Sequence, residues 1–259
     1  MRGPLEGAEA AAAATLTRDR AATGVFCDFD GTLADIVDDP ADARPAAGAV
    51  DALAALAAAM GRVAVISGRP GRFLAEHLGG TGAVLAGLYG LERVVGGQVE
   101  VASAARNWEP VVAEVAGRAR RRGIDGLRVE PKGVVVTFHY RAAPGAGHAV
   151  GALAEEEAAA TGLEASPGRL SWELRPPLPT TKGSVVASMA AGLTAACFLG
   201  DDHGDLSAFD ALDTLAAGGV ATVRVAVESD ESPPALLDRA DLVLPDPAAV
   251  VRLLRRLSP

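Results

Sequence analysis

Val25-Phe26-Cys27-Asp28-Phe29-Asp30-Gly31-Thr32 is a short apolar run that breaks into two carboxylates and a glycine. The run reads as a buried strand and the acidic turn as its end. A strand end that turns through glycine leaves backbone N–H groups unpaired, and such donors cradle a phosphate while carboxylates hold a divalent cation. In that chemistry Asp28 is the nucleophile and Asp30 the acid/base. The same residues also suit an acidic turn that merely closes a strand, since Asp and Gly are common turn formers.

A second acidic cluster sharpens the choice. Cys197-Phe198-Leu199 is followed by Gly200-Asp201-Asp202-His203-Gly204-Asp205, again carboxylates at the end of an apolar strand. Three or four carboxylates gathered in a low-dielectric cleft repel one another strongly, and a bound cation is the natural compensation. Oxygen-only ligands point to Mg²⁺, and His203 reads as a solvent-facing loop residue because hard cations prefer the surrounding oxygens.

Two further pieces lie between these clusters. Val63-Ala64-Val65-Ile66 runs into Ser67-Gly68-Arg69, and Lys182-Gly183 opens an alanine-rich helical segment. A serine hydroxyl and a lysine ammonium supply the hydrogen bond and positive charge that a transferring phosphoryl group needs. Taken alone, Ser67 reads equally well as the N-cap of a helix starting near Pro70, and Lys182 as an ordinary surface lysine.

Composition fits a globular enzyme. The 259 residues bury a sizeable core in about one to two domains, and the net charge of −9 argues against a nucleic-acid partner. Residues 118–122, rich in arginine, read as the exposed end of a helix, where cations suit the dipole. Cys27 and Cys197 fall in core strands and read as reduced, buried thiols, consistent with a cytoplasmic location. The alanine-rich start is interrupted by Glu6 and Glu9 and makes a poor signal peptide. Residues 183–200 carry no charge, but Ser184, Ser188, Gly192 and Thr194 break them into helix, turn and strand, so no membrane span is expected.

Strand and helix alternate at the start: strand 25–29, helix 46–60, strand 63–67, helix 70–78. That order favours an α/β fold with a parallel sheet covered on both faces. Residues 92–95 and 98–101 flank Gly96-Gly97, a two-residue hairpin loop. The pattern then changes to helix 108–122, strands 127–131 and 134–140, helix 147–160, and strands 163–166 and 170–175, which reads as a small α+β cap. Lys132-Gly133 and Pro167-Gly168 are expected to turn its two strand pairs. The expected organisation is a core (1–103), an inserted cap (104–179) and the rest of the core (180–259), with hinges near 101–106 and 175–181.

In this order the motifs resemble the haloacid dehalogenase superfamily, and more closely the trehalose-6-phosphate phosphatase family. The resemblance rests on Asp28-Phe29-Asp30-Gly31-Thr32-Leu33, Ile66-Ser67-Gly68-Arg69, Gly87-Leu88-Tyr89-Gly90-Leu91-Glu92, Glu130-Pro131-Lys132, His139-Tyr140-Arg141, Glu173-Leu174-Arg175-Pro176 and Lys182-Gly183. Gly204 and Leu206 depart from that family's usual threonine and glutamate, while Asp201, Asp202 and Asp205 are kept.

The resemblance implies a Rossmann-like core that performs phosphoryl transfer and a cap that selects the leaving group. It implies that Asp28 forms an aspartyl-phosphate and Asp30 serves as acid and base. Ser67, Lys182 and the turn amides of Phe29 and Asp30 would hold phosphoryl oxygens. Mg²⁺ would be held by Asp28, the Asp30 carbonyl and Asp201, with Asp202 and Asp205 in support. Arg69, Glu130, Lys132, Arg141 and Glu173 would face a small-molecule sugar phosphate, trehalose 6-phosphate first. Without the resemblance, the cap charges pair equally well with one another. Sucrose phosphate, a mannosyl or glucosyl phosphoglycerate, a monosaccharide phosphate, or a non-catalytic sugar-phosphate sensor are the alternatives. Oligomeric state is not legible in the sequence.

Overall fold

The computed structural model describes residues 4–37, 39–168, 170–229 and 232–259. Two compact units result, one built from Met1–Glu100 with Thr180–Pro259 and the other from Val101–Pro179. In chain order the strands are β1 (Thr23–Cys27), β2 (Arg62–Ile66), β3 (Val84–Gly87), β4 (Glu92–Val95), β5 (Gln98–Val101), β6 (Arg128–Pro131), β7 (Val136–His139), β8 (Glu164–Gly168), β9 (Ser171–Arg175), β10 (Ala195–Gly200), β11 (Ala221–Val227) and β12 (Leu242–Leu244).

Eight of these form one sheet in the order β12-β11-β10-β1-β2-β3-β4-β5. From β12 to β3 every neighbour is parallel, and β4 runs antiparallel to β3. The two central strands are buried along their whole length, which is why they read as unbroken apolar runs instead of alternating ones. Val25, Cys27, Cys197 and Leu199 face a core shared with Leu53, Leu56 and Leu74 from the helices Ala49–Ala59 and Gly71–Leu78. Phe26 and Phe198 face the other core, with Val186 and Met189 of the helix Lys182–Met189 and Phe209 and Leu212 of the helix Leu206–Ala217. Each face thus has its own helical cover, as the alternating pattern led one to expect. Both cysteines are free and buried, and burial pushes the Cys197 thiol up to about 12.

The second unit is an antiparallel sheet in the order β6-β7-β9-β8. Phe138 and Leu174 pack against Val112 and Val115 of the helix Glu109–Arg121 and Val150 and Leu153 of the helix Gly147–Thr161. Successive strand residues alternate faces, so the other face carries a polar rung in which Glu130 pairs with Thr137, Thr137 with Glu173 and Glu173 with Ser166. The arginine-rich helix end is tied to the neighbouring helix: Arg118 forks onto Glu157 at 3.0 and 2.6 Å, and Arg122 pairs with Glu156.

One turn falls elsewhere than expected. Pro167 and Gly168 are not a turn but lie in β8, paired with Trp172 and Ser171. Position 169 lies outside the described residues, and Leu170 has a φ of 49°. Proline is tolerated there because β8 is the sheet's edge strand, where a missing N–H need not interrupt a ladder. Among the described residues, no helix is long and apolar enough to cross a membrane.

Candidate active site

The carboxyl ends of adjacent parallel strands are where ligands bind in open α/β sheets. Asp28 follows β1, Ser67 follows β2, Asp201 follows β10, and Ser229 lies two residues past β11. Lys182, the first residue of its helix, is 2% exposed and reaches into this group. Its Nζ lies 3.0 Å from Asp28 Oδ1, 2.6 Å from Asp205 Oδ1 and 3.7 Å from Asp202 Oδ1. Lys182 is therefore not a surface lysine. Thr181 caps the helix that carries it, accepting from the Ser184 N–H at 3.1 Å, so the ammonium projects from a well-formed helix start.

The turn after β1 is tightly wound. The Phe29 carbonyl accepts from the N–H groups of Leu33 and Ala34 at 2.8 and 2.9 Å, and Gly31 takes a φ of 72°. A Cβ on Gly31 would overlap the Asp201 carboxylate, so glycine is needed here for close approach as well as for the turn. Among the described residues, the N–H groups of Phe29 and Asp30 have no acceptor within the protein. Unpaired donors of this kind suit an anion.

Ser67 is buried, but it does not cap the helix Gly71–Leu78. Its Oγ accepts from the Arg69 N–H at 3.2 Å, and the helix start is held instead by Glu92, whose Oε2 accepts from the Gly71 N–H at 2.6 Å. Leu88 and Tyr89 brace the same loop, donating from their N–H groups to the carbonyls of Arg69 and Ser67 at 3.0 and 2.9 Å. Both have positive φ, 48° and 59°, a conformation that costs a non-glycine residue about 1–3 kcal/mol and collects near functional sites.

Four carboxylates, Asp28, Asp201, Asp202 and Asp205, face one ammonium. Burial holds Asp28 well above the usual carboxylate range, against the pull of Lys182, and its acidic neighbours add to the effect. Burial likewise pushes Asp201 up to about 8, helped by Asp205 and Asp202. Asp205 is pushed up to about 6 by burial in spite of Lys182. Uncompensated negative charge of this density suits a hard cation, and oxygens of Asp28, Asp201 and Asp205 lie within 4.8 Å of one another.

The three do not stand alike. Asp205 is already occupied, its Oδ1 by Lys182 and its Oδ2 by the N–H groups of Asp201 and Asp202 at 2.9 and 3.1 Å. It organises the acidic loop and the lysine. Asp201 is steadied by two hydroxyls to which sequence reading gave no role, Thr32 Oγ1 from the first acidic motif and Ser229 Oγ, each at 3.4 Å. Ser229 was findable in principle, because it follows a strand end beside the other two. His203 is exposed, as expected.

Asp30 does not touch Lys182. Its carboxylate is forked by Arg69, Nε to Oδ2 at 2.8 Å and Nη2 to Oδ1 at 2.6 Å. In the other unit, Glu130 Oε2 lies 2.8 Å from His139 Nε2 and 3.7 Å from Lys132 Nζ. The hydrogen bond from His139 carries Glu130 down to about 2, with Lys132 assisting. Glu173 shares the polar rung with Glu130, and burial raises its pKa. Arg141 lies in the turn two residues past His139. His139 is the group that orients Glu130; it lies two residues past Thr137, the partner of Glu130 across the β6–β7 pair, and so on the same face of the sheet.

Residues 26–239 match the trehalose-phosphatase family model. A trehalose-phosphate phosphatase from Mycolicibacterium paratuberculosis is 41% identical over 204 residues, covering 73% of this chain; the chain spans only 51% of that relative's length. The C-terminal domain of the Candida albicans trehalose-6-phosphate phosphatase superposes with a TM-score of 0.75 at 23% identity, covering 95% of both chains. A haloacid dehalogenase-like hydrolase from Bacteroides thetaiotaomicron superposes with a TM-score of 0.63 at 15% identity, covering 90% of this chain and 98% of the other. Likenesses at those identities speak to the fold, a haloacid dehalogenase-like core.

Proposed function

Because the chain belongs to the trehalose-phosphatase family, we propose that it hydrolyses trehalose 6-phosphate to trehalose and phosphate through a phosphorylated Asp28. The observation that carries this reading is the Lys182 ammonium 3.0 Å from Asp28 inside a buried set of carboxylates. In the first step an Asp28 oxygen attacks phosphorus while Asp30 gives a proton to the departing sugar oxygen. In the second, Asp30 takes a proton from the water that splits the acyl-phosphate bond. Lys182, Ser67 and the N–H groups of Phe29 and Asp30 hold the equatorial oxygens, where charge spreads as the bond breaks.

Mg²⁺ fits the donor set: Asp28, the Asp30 carbonyl and Asp201 would hold it, Asp202 would support them, and Asp205 would act by fixing the loop and the lysine. When bound, it neutralises phosphoryl charge and draws nucleophile and phosphate together. A solution signature follows. Asp201, pushed up to about 8, holds its proton in the folded state more tightly than in the unfolded one. Stability of the chelated protein from this source is full below about pH 4 and is lost as pH rises through about 8. Mg²⁺ at about 100 times its Kd should add about 2.7 kcal/mol, a melting shift of roughly 5–10 °C for a chain of this size. At one fixed Mg²⁺ concentration the shift should be larger at pH 8 than at pH 6, where protons compete for the same oxygens and weaken binding. Equal shifts at the two pH values would remove Asp201 from the ligand set.

Arg69 apart, the predicted sugar contacts lie in the Val101–Pro179 unit. Glu130 and Glu173 accept from sugar hydroxyls, and Lys132 and Arg141 donate. The decisive experiment assays trehalose 6-phosphate beside sucrose phosphate, glucosyl and mannosyl phosphoglycerate and monosaccharide phosphates, with Mg²⁺ present. Glu130→Ala and Glu173→Ala should each raise KM for trehalose 6-phosphate about tenfold or more, with little change on a small aryl phosphate. Preference for another ester would replace the substrate, and no phosphate release from any would favour a sensor.

A further inference from the structure

We propose that Arg69 is a positioning residue for Asp30, fixing the direction in which the acid/base carboxylate faces, and not a contact to the sugar. The inference rests on the acid/base role given to Asp30 above. Three guanidinium donors are committed to the protein itself: Nε and Nη2 to the two oxygens of Asp30, and Nη1 to the Pro40 carbonyl at 2.6 Å. A two-pronged fork sets both the place and the rotation of a carboxylate, which a point charge does not.

Arg69 is itself held from several sides. Its N–H donates to Ser67 Oγ and its carbonyl accepts from the Leu88 N–H. The guanidinium carbon lies 4.6 Å from the centre of the Phe73 ring, within the range of a cation–π contact. Phe73 in turn meets Phe29 edge-on, with ring centres 5.4 Å apart, and Phe29 lies between Asp28 and Asp30 in the chain. The loop after β2 thereby grips the turn after β1 at both its acid and its ring. Through Pro40 the same side chain anchors the segment downstream of that turn.

Such a role has a kinetic signature that substrate binding lacks. An alcohol leaving group needs Asp30's proton delivered as the P–O bond breaks, whereas an acidic phenol departs without it. The test measures kcat/KM with Mg²⁺ for phosphate monoesters graded from 4-nitrophenyl phosphate to simple alkyl phosphates, in wild type, Arg69→Ala, Arg69→Lys and Asp30→Asn. Arg69→Ala should lose about 100-fold on alkyl esters but less than about threefold on 4-nitrophenyl phosphate, with alkyl-ester KM nearly unchanged. Arg69→Lys should stay close to Arg69→Ala, because lysine cannot fork. Adding Arg69→Ala to Asp30→Asn should cost nothing further.

Equal losses on aryl and alkyl esters would mean that Arg69 merely supports the loop. A raised KM confined to sugar esters, with simple alkyl esters untouched, would return Arg69 to the substrate. Either result overturns the proposal. Asp30→Asn separates this failure from that of the underlying reading: if it keeps its alkyl-ester rate, the acid/base role falls and Arg69 with it. If it is sensitive and Arg69→Ala is not, only Arg69 falls.

Discussion

Asp28→Asn is expected to lower kcat by about four orders of magnitude or more while leaving the chain folded, because an amide oxygen is a poor nucleophile toward phosphorus. Lys182 holds Oδ1 of Asp28 at 3.0 Å, which leaves the second oxygen for the substrate. The neighbouring carboxylates do not replace it: Asp205 is engaged by an ammonium and two amides, and Asp30 is clasped by Arg69. Stability should move the other way. Burial and like charges oppose ionisation of Asp28, so an uncharged isostere relieves that cost, and the variant in EDTA should melt at or above wild type. Phosphate release and a melting curve on the same preparation make the check. Turnover near the wild-type level would end the covalent scheme.

Lys182→Met carries the second large effect, on both stability and rate. The ammonium is buried and within 4 Å of three carboxylates, and methionine of similar length leaves those charges uncompensated. Removing one partner of a buried ion pair costs about 3–5 kcal/mol, here read from urea unfolding in EDTA. The loss should be greatest at pH 8 and milder at pH 5. Asp205, already at about 6, and Asp28, higher than usual, take up protons as pH falls, which removes the repulsion the lysine had offset. Turnover should fall by about 100- to 1,000-fold, the scale of one lost charge donor to a transition state. An unchanged urea midpoint at pH 8 would show that the lysine is not the network's counter-charge.

Much of this arrangement was legible before any coordinates. Apolar runs such as residues 25–27 and 197–199 are uninterrupted because their strands are buried on both sides, so the parallel core and the acid at each strand end could be read together. What escaped were features that depend on rotamers and register. Arg69 follows Ser67 and Gly68 in the loop after β2, and nothing in that spacing says whether it turns to a ligand or to Asp30. His139 and Glu130 are nine residues apart, and only the pairing of β6 with β7 brings them to 2.8 Å. Pro167-Gly168 suggested a turn because proline and glycine are turn formers, but both fit an edge strand, which has a side with no ladder to break. Ser67 looked like a helix cap because the cap actually used, Glu92, comes from a strand 21 positions away from the amide it binds.

The central pair β1 and β10 joins Thr23 to Ala195 and Cys27 to Leu199, and this has a bearing on biogenesis. A growing chain exposes β1 on the ribosome long before β10 emerges, with the whole second unit synthesised in between. During that interval Val25, Phe26 and Cys27 present an unsatisfied hydrogen-bonding edge of apolar residues, the kind of surface that recruits chaperones or seeds aggregation. The cluster therefore assembles late: Asp28 meets neither Lys182 nor Asp201 until translation has passed them, so the proposed activity would report that the distant halves of the sheet have closed.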